Sequence, residues 1–202
     1  MKGLYLVTPD WDDTERLVTI SEQGIRGGAS LLQYRHKTAD AALRHEQATA
    51  LLKLCRRLNV PLVINDHLDV CVAIDADGIH VGGTDASVAS MRAQLGPSKI
   101  VGASCYGDLQ LARDAQASGA SYLAFGGFYP SRVKKYAVTT SPDIITTALA
   151  EFTVPLCVIG GMTPMNSRAL IDRGAHMVAA ISSVYSAEDP QLAASEFASM
   201  FR

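Results

Sequence analysis

Gln33, Arg35 and Lys37 are the residues in this chain whose types and spacing first point to chemistry. They close the run Leu31-Leu32-Gln33-Tyr34-Arg35-His36-Lys37, which starts as an apolar strand. In an extended chain, residues two apart leave the same face, so the three side chains project together. An Arg fork and a Lys point charge, with a Gln amide beneath them, suit a phosphorylated ligand. A strand end with solvated charges is the plain alternative for these seven residues taken alone.

Other polar residues gather at comparable places. Asn65 and Asp66 follow the apolar run at 62–64, and Asp85 follows the run at 77–81. Two carboxylates brought close together repel unless a cation lies between them. With Asn65 and phosphate oxygens at hand, the expected cation is Mg²⁺, a hard ion held by one or two carboxylates plus substrate phosphates. Both aspartates also precede helical stretches, so helix capping is the competing reading of each. Ser104 follows a fifth apolar run, and Ser131, Lys134 and Lys135 follow a sixth. Gly160-Gly161 and Ser182-Ser183 end the last two runs, where backbone N–H groups could cradle a phosphate. Arg35, Lys37 and Lys134 are then left for a more highly charged group such as a diphosphate. The sequence thus points to two phosphorylated ligands in one mouth.

The elements that must carry these residues alternate along the chain. Apolar runs at 4–8, 29–35, 62–64, 77–81, 99–104, 121–126, 155–159 and 176–181 read as strands. Between and after them come helical stretches, each with a start or stop signal. Asp12 and Thr14 are expected to cap the first helix, Ser141 the sixth, and Thr163-Pro164 opens the seventh. The strands are short and apolar on both faces, as parallel strands covered by helices are. No linker or low-complexity tract divides residues 1–202. The expected fold is one (β/α)8 TIM barrel forming a single domain, with active residues at the C-terminal ends of the strands. An open doubly wound sheet is the alternative, but it does not explain polar residues after so many strands.

Composition bounds the partners. The 202 residues are 48% hydrophobic and 19% charged, which is globular. Acids outnumber Lys plus Arg by 20 to 18, so no basic field favours nucleic acid or a membrane surface. Cys55, Cys71, Cys105 and Cys157 lie far apart without a Cys-x-x-Cys, and read as reduced core thiols of a cytoplasmic protein. There is no membrane-length apolar run and no leader pattern. His36 alternates away from Gln33 and Arg35 and should point out of the barrel. His80 approaches the mouth. Trp11 and Tyr5 read as packing residues.

Eight segments, taken in order, resemble thiamine-phosphate synthases. They include Leu4-Tyr5-Leu6-Val7-Thr8, Gln33-Tyr34-Arg35-His36-Lys37, Ile64-Asn65-Asp66-His67, Asp77-Gly78-Ile79-His80-Val81-Gly82, Gly102-Ala103-Ser104, Tyr129 to Lys135, Ile159-Gly160-Gly161-Met162 and Ala180-Ile181-Ser182-Ser183. The resemblance implies a transferase of thiamine biosynthesis. That enzyme joins 4-amino-2-methyl-5-(diphosphooxymethyl)pyrimidine to 4-methyl-5-(2-phosphooxyethyl)thiazole and releases diphosphate by a dissociative path. It further implies that Gln33, Arg35, Lys37, Asn65, Ser104 and Lys134 serve the pyrimidine diphosphate and that Asp66 and Asp85 hold Mg²⁺. Ser131, Val133, Gly161, Ile181 and Ser182 would serve the thiazole phosphate. Val133 stands where many members carry Thr, and offers a backbone N–H in place of a hydroxyl. Gly83 stands where many carry Gln. The implied partners are two small phosphorylated substrates, with a homodimer allowed. A related thiazole tautomerase, which moves protons and has no need of the Mg²⁺ aspartates, is one rival. A phosphate-ligand sensor on the same scaffold is the other.

Overall fold

In a computed structural model, which describes residues 1–82, 88–130 and 140–201, the alternation becomes a closed barrel. The chain runs β1 (Gly3–Val7), α1 (Thr14–Arg26), β2 (Ala29–Tyr34), α2 (Ala41–Leu58), β3 (Leu62–Asn65), α3 (Leu68–Ala73), β4 (Gly78–Val81) and α4 (Val88–Leu95). It continues with β5 (Ile100–Tyr106), α5 (Leu109–Ala117), β6 (Tyr122–Gly126), α6 (Asp143–Glu151), β7 (Leu156–Ile159), α7 (Pro164–Ile171), β8 (Met177–Ala180), α8 (Ser182–Tyr185) and α9 (Pro190–Ser199). All neighbouring strands are parallel, and β1 pairs with both β2 and β8, which closes the ring. The expected (β/α)8 barrel is therefore the observed fold.

Period-two alternation divides the apolar residues into two cores. Leu4, Leu6, Leu32, Phe125 and Val158 face outward and are buried under the helices. Tyr5, Val7, Leu31, Val63, Tyr122 and Cys157 face inward and fill the barrel. Gln33 and His80 are buried polar residues, and both hydrogen-bond to tyrosines of that inner set. All four cysteines are free and buried, and burial pushes Cys55 and Cys105 up to about 12, so they stay thiols. No helix among the described residues is long and apolar enough to cross a membrane.

Local chemistry sets the helix starts. Asp13, Asp40, Asp108 and Asp189 accept backbone N–H groups at the starts of α1, α2, α5 and α9. Thr163 and Asn166 form a capping box with Pro164 at the first position of α7. Two expected caps shift. Asp13, not Asp12 or Thr14, caps α1, because Asp12 bonds His36 and the Thr14 hydroxyl donates to Glu46. The N-cap position of α6 is Pro142, although the Ser141 hydroxyl still accepts from Asp143 N at 3.3 Å. His36 does point away from the barrel lumen. Its Nδ1 accepts from Ala39 N and its Nε2 meets Asp12 at 3.1 Å. Trp11 packs edge-on to Tyr185, with Arg16 over its ring.

Candidate functional site

Strand register brings the polar ends together. Tyr34 pairs with Ile64 and Asn65 with His80, so Arg35 runs beside Asn65 at the rim. Asp66 is the centre of the cluster. Its carboxylate accepts from Lys37 Nζ at 2.6 Å, Asn65 Nδ2 at 2.6 Å and Gly82 N at 3.3 Å. Burial pushes this carboxyl up, but the bond and charge of Lys37, the Gly82 amide and the Asn65 amide outweigh it. The carboxyl is held below the usual carboxylate range and is ionised at neutral pH. The helix-capping reading fails for Asp66, because the N-cap position of α3 is His67 and no side chain caps it. Asp66 instead takes φ of 61°, a left-handed conformation that Asp tolerates better than most residues.

Arg35 is held from the first βα loop. Its Nη1 donates to Asp10 Oδ1 at 3.0 Å and Oδ2 at 3.2 Å, and the same Oδ1 accepts Lys37 N at 2.8 Å. The Thr8 hydroxyl donates to Arg35 O and accepts from Arg35 N, both at 2.8 Å. Sequence reasoning did not single out Asp10 or Thr8 for the site. Their position just beyond β1 was the available signal, since the rule about strand ends covers the first strand as well.

Below the rim lies a buried polar thread. Gln33 Nε2 donates to Tyr5 Oη, which contacts Tyr122 Oη at 2.7 Å. Tyr122 Oη meets His80 Nδ1 at 2.8 Å, and His80 Nε2 meets Ser104 Oγ at 2.9 Å. Burial raises both tyrosine hydroxyls well above their usual range, so both keep their hydrogens. Just past Ser104, β5 shifts register against β6, a bulge of the kind that re-aims side chains near a site.

At the other side of the mouth, Ile159 pairs with Ala179, which sets Gly160-Gly161 beside Ala180-Ile181. Ser182 and Ser183 open α8, and first-turn N–H groups have no partner within a helix. The sequence places the backbone N–H groups of these two serines around a pocket, with no helix expected there. They begin a helix of four residues, too short to show a period. Gly161 has φ of 66°, and a Cβ there would lie 2.2 Å from Pro130 O. Asn166 Nδ2 donates to Gly161 O at 2.9 Å and fixes the turn. Gly161→Ala is expected to raise KM for a phosphorylated ligand seated at this turn roughly tenfold or more, while KM for a ligand held at the Arg35–Lys37 side stays within about twofold. Steady-state kinetics with each ligand varied in turn checks this.

Gln33, Arg35, Lys37, Asn65, Asp66, Ser104, Gly161, Ile181 and Ser182 thus all stand at or just under the C-terminal rim. Gly83, Asp85, Ser131, Val133, Lys134 and Lys135 lie outside the described residues. Among the described residues, no group of three or more His, Cys, Asp and Glu could hold a metal.

A parallel (β/α)8 barrel with a cationic cluster and a glycine turn at its C-terminal mouth is the architecture of enzymes that handle small phosphorylated ligands. A family model described as thiamine monophosphate synthase matches residues 4–184. The thiamine-phosphate synthase of Janthinobacterium sp. (strain Marseille) is 66% identical over 201 residues, covering 100% of this chain and 97% of that protein. That of Methylobacillus flagellatus is 47% identical over 202 residues, covering 100% and 96%. The thiamine phosphate pyrophosphorylase from Pyrococcus furiosus superposes with a TM-score of 0.84 at 29% identity, covering 98% of this chain and 95% of that one. The chain belongs to the thiamine-phosphate synthase family. Membership makes it a transferase of thiamine biosynthesis.

Proposed function

We propose that this mouth condenses 4-amino-2-methyl-5-(diphosphooxymethyl)pyrimidine with 4-methyl-5-(2-phosphooxyethyl)thiazole, giving thiamine phosphate and diphosphate. The observation that carries the reading is the Lys37–Asp66–Asn65 cluster beside Arg35, cation and carboxylate at one rim. Arg35 and Lys37 bind the diphosphate, with Lys134 assigned to the same task. Gln33, Asn65 and Ser104 position the pyrimidine. The N–H groups at Gly161, Ile181 and Ser182 take the thiazole phosphate, with Ser131 and the backbone of Val133 assigned beside them.

Asp66 suits a hard cation: it is ionised, half-exposed, and already bonded to an ammonium. We assign Mg²⁺ to Asp66 and Asp85; when bound, such an ion draws charge from the departing diphosphate. Lys37, once its carboxylate partner is engaged, is freed to meet the diphosphate oxygens. The pyrimidine ring delocalises the methylene cation left behind, and the thiazole nitrogen captures it. The chain supplies no nucleophile to this sequence of steps; it orients two ligands and excludes water. We place the reaction in the cytoplasm, in keeping with four buried free thiols.

The deciding experiment measures diphosphate release. Release is expected only with both substrates and a divalent ion present. A tautomerase would release none, and a sensor would bind without turnover.

Arg35→Lys provides a second check. Arg35 spends Nη1 on Asp10 and keeps its remaining N–H groups for a ligand. A Lys cannot serve both, so diphosphate affinity should fall roughly 10- to 100-fold, the loss of one charge-assisted hydrogen bond. Titration calorimetry with diphosphate reads this directly.

A further inference from the structure

The thread inside the barrel joins five strands, and its hydrogens have a direction. The Gln33 amide nitrogen can only donate. Tyr5 Oη therefore accepts from it, and the Tyr5 hydrogen has one partner to go to, Tyr122 Oη at 2.7 Å. Tyr122 then spends its own hydrogen on His80 Nδ1. A nitrogen that accepts carries no proton, so the proton of a neutral His80 sits on Nε2 and is donated to Ser104 Oγ. In the reverse order, His80 donates to Tyr122 and Tyr122 to Tyr5. Tyr5 would then accept twice and leave its own hydrogen unpaired in a side chain that is only 1% exposed, a costly arrangement. The forward order wastes no hydrogen inside the barrel and leaves one over, that of Ser104, at the rim.

We infer that this thread locks His80 as the Nε2–H tautomer and so makes Ser104 a hydrogen-bond donor toward the bound ligand, with Tyr122 as the positioning residue. The group Ser104 meets is then an acceptor, a ring nitrogen or a phosphate oxygen of the pyrimidine substrate. This second half rests on the proposed function; the tautomer does not. Tyr122 is placed for the task by packing as well. Its ring stacks on His80 at 5.6 Å and stands edge-on to Tyr5 at 5.7 Å. Gly102 leaves the room that the ring occupies.

The test has two arms. In the first, histidine-labelled protein is read by two-bond ¹H–¹⁵N NMR, and His80 is identified by the signal lost in His80→Gln. An unprotonated Nδ1 with a protonated Nε2 is expected, and the opposite pattern overturns the proposal without reference to any activity. In the second, Tyr122→Phe is expected to lower kcat/KM roughly tenfold, the effect of one misdirected hydrogen bond. On a Ser104→Ala background the same change should cost less than about twofold, because coupled groups are not additive. Tyr185→Phe, which removes a buried hydroxyl bonded to Ser21 outside the barrel, is expected to keep wild-type kinetics. Unchanged kcat/KM in Tyr122→Phe, or a full tenfold loss on top of Ser104→Ala, overturns the positioning role. If Tyr122→Phe does not fold, the first arm alone decides the tautomer. If the wild-type protein does not couple the two heterocycles, the proposed function fails while the NMR result still judges the thread.

Discussion

Asp66→Asn is expected to lower kcat/KM by roughly three orders of magnitude and to remove its dependence on divalent ion, because an ion at the leaving group stabilises developing charge by several kcal/mol. Asn is the informative replacement. Residue 66 sits at φ of 61°, which Asn tolerates and Ala does not without strain. The amide keeps the side-chain shape, removes the charge and turns one of the two acceptor oxygens into a donor. Stability should hardly move. Lys37 and Asp66 are 49% and 37% exposed, so their ion pair contributes about 0–1 kcal/mol. That corresponds to a change in Tm within about 4 °C for a chain of this size. Lost turnover could also follow from a misplaced Lys37, and Lys37→Met separates the two causes. It should lose rate but still bind divalent ion by calorimetry, whereas Asp66→Asn should lose both. Divalent-dependent turnover at the wild-type level in Asp66→Asn would falsify the assignment of Asp66 to the ion.

The architecture was legible in the sequence because it rests on local signals. Doubly apolar runs, turn glycines and capping residues recur at regular spacing, and every expected strand appears within two residues of its place. What stayed hidden depends on partners far along the chain. Asp12, Asp13 and Thr14 are all good caps, and the choice among them was made by His36 and Glu46, which claim the outer two. Asp10 steadies Arg35 from 25 residues away. Tyr5 does pack, as expected, but its hydroxyl meets that of Tyr122 across 117 residues, a contact that exists only once the ring has closed. The phosphate-side cluster was readable for the opposite reason. Gln33, Arg35 and Lys37 share one strand end, and Asn65 and Asp66 share the next, so two local patterns and one parallel register were enough to bring them together.

Closure also explains why the smallest residue of β5 should be among the least replaceable. Gly102→Ala is expected to destabilise the protein by about 3–5 kcal/mol, the sum of an overpacked core and one or two broken buried hydrogen bonds. A Cβ at residue 102 would lie 2.1 Å from Tyr122 Cζ and 2.2 Å from its Oη. The ring cannot yield toward solvent, since Tyr122 is fully buried and lies between His80 and Tyr5. Replacing Gly by Ala in a strand also reduces the entropy of the unfolded chain, a gain of about 0.4–1 kcal/mol, and the clash outweighs it. Thermal unfolding should show Tm lower by roughly 10 °C, taking about 2–4 °C per kcal/mol. Activity should fall further than stability at temperatures where the variant is still folded, because a displaced Tyr122 releases His80 Nδ1 and with it the orientation of Ser104. A variant with wild-type Tm would mean that Tyr122 does not occupy the space above Gly102. One with lowered Tm but wild-type kcat/KM would separate the packing of the barrel from the chemistry at its rim.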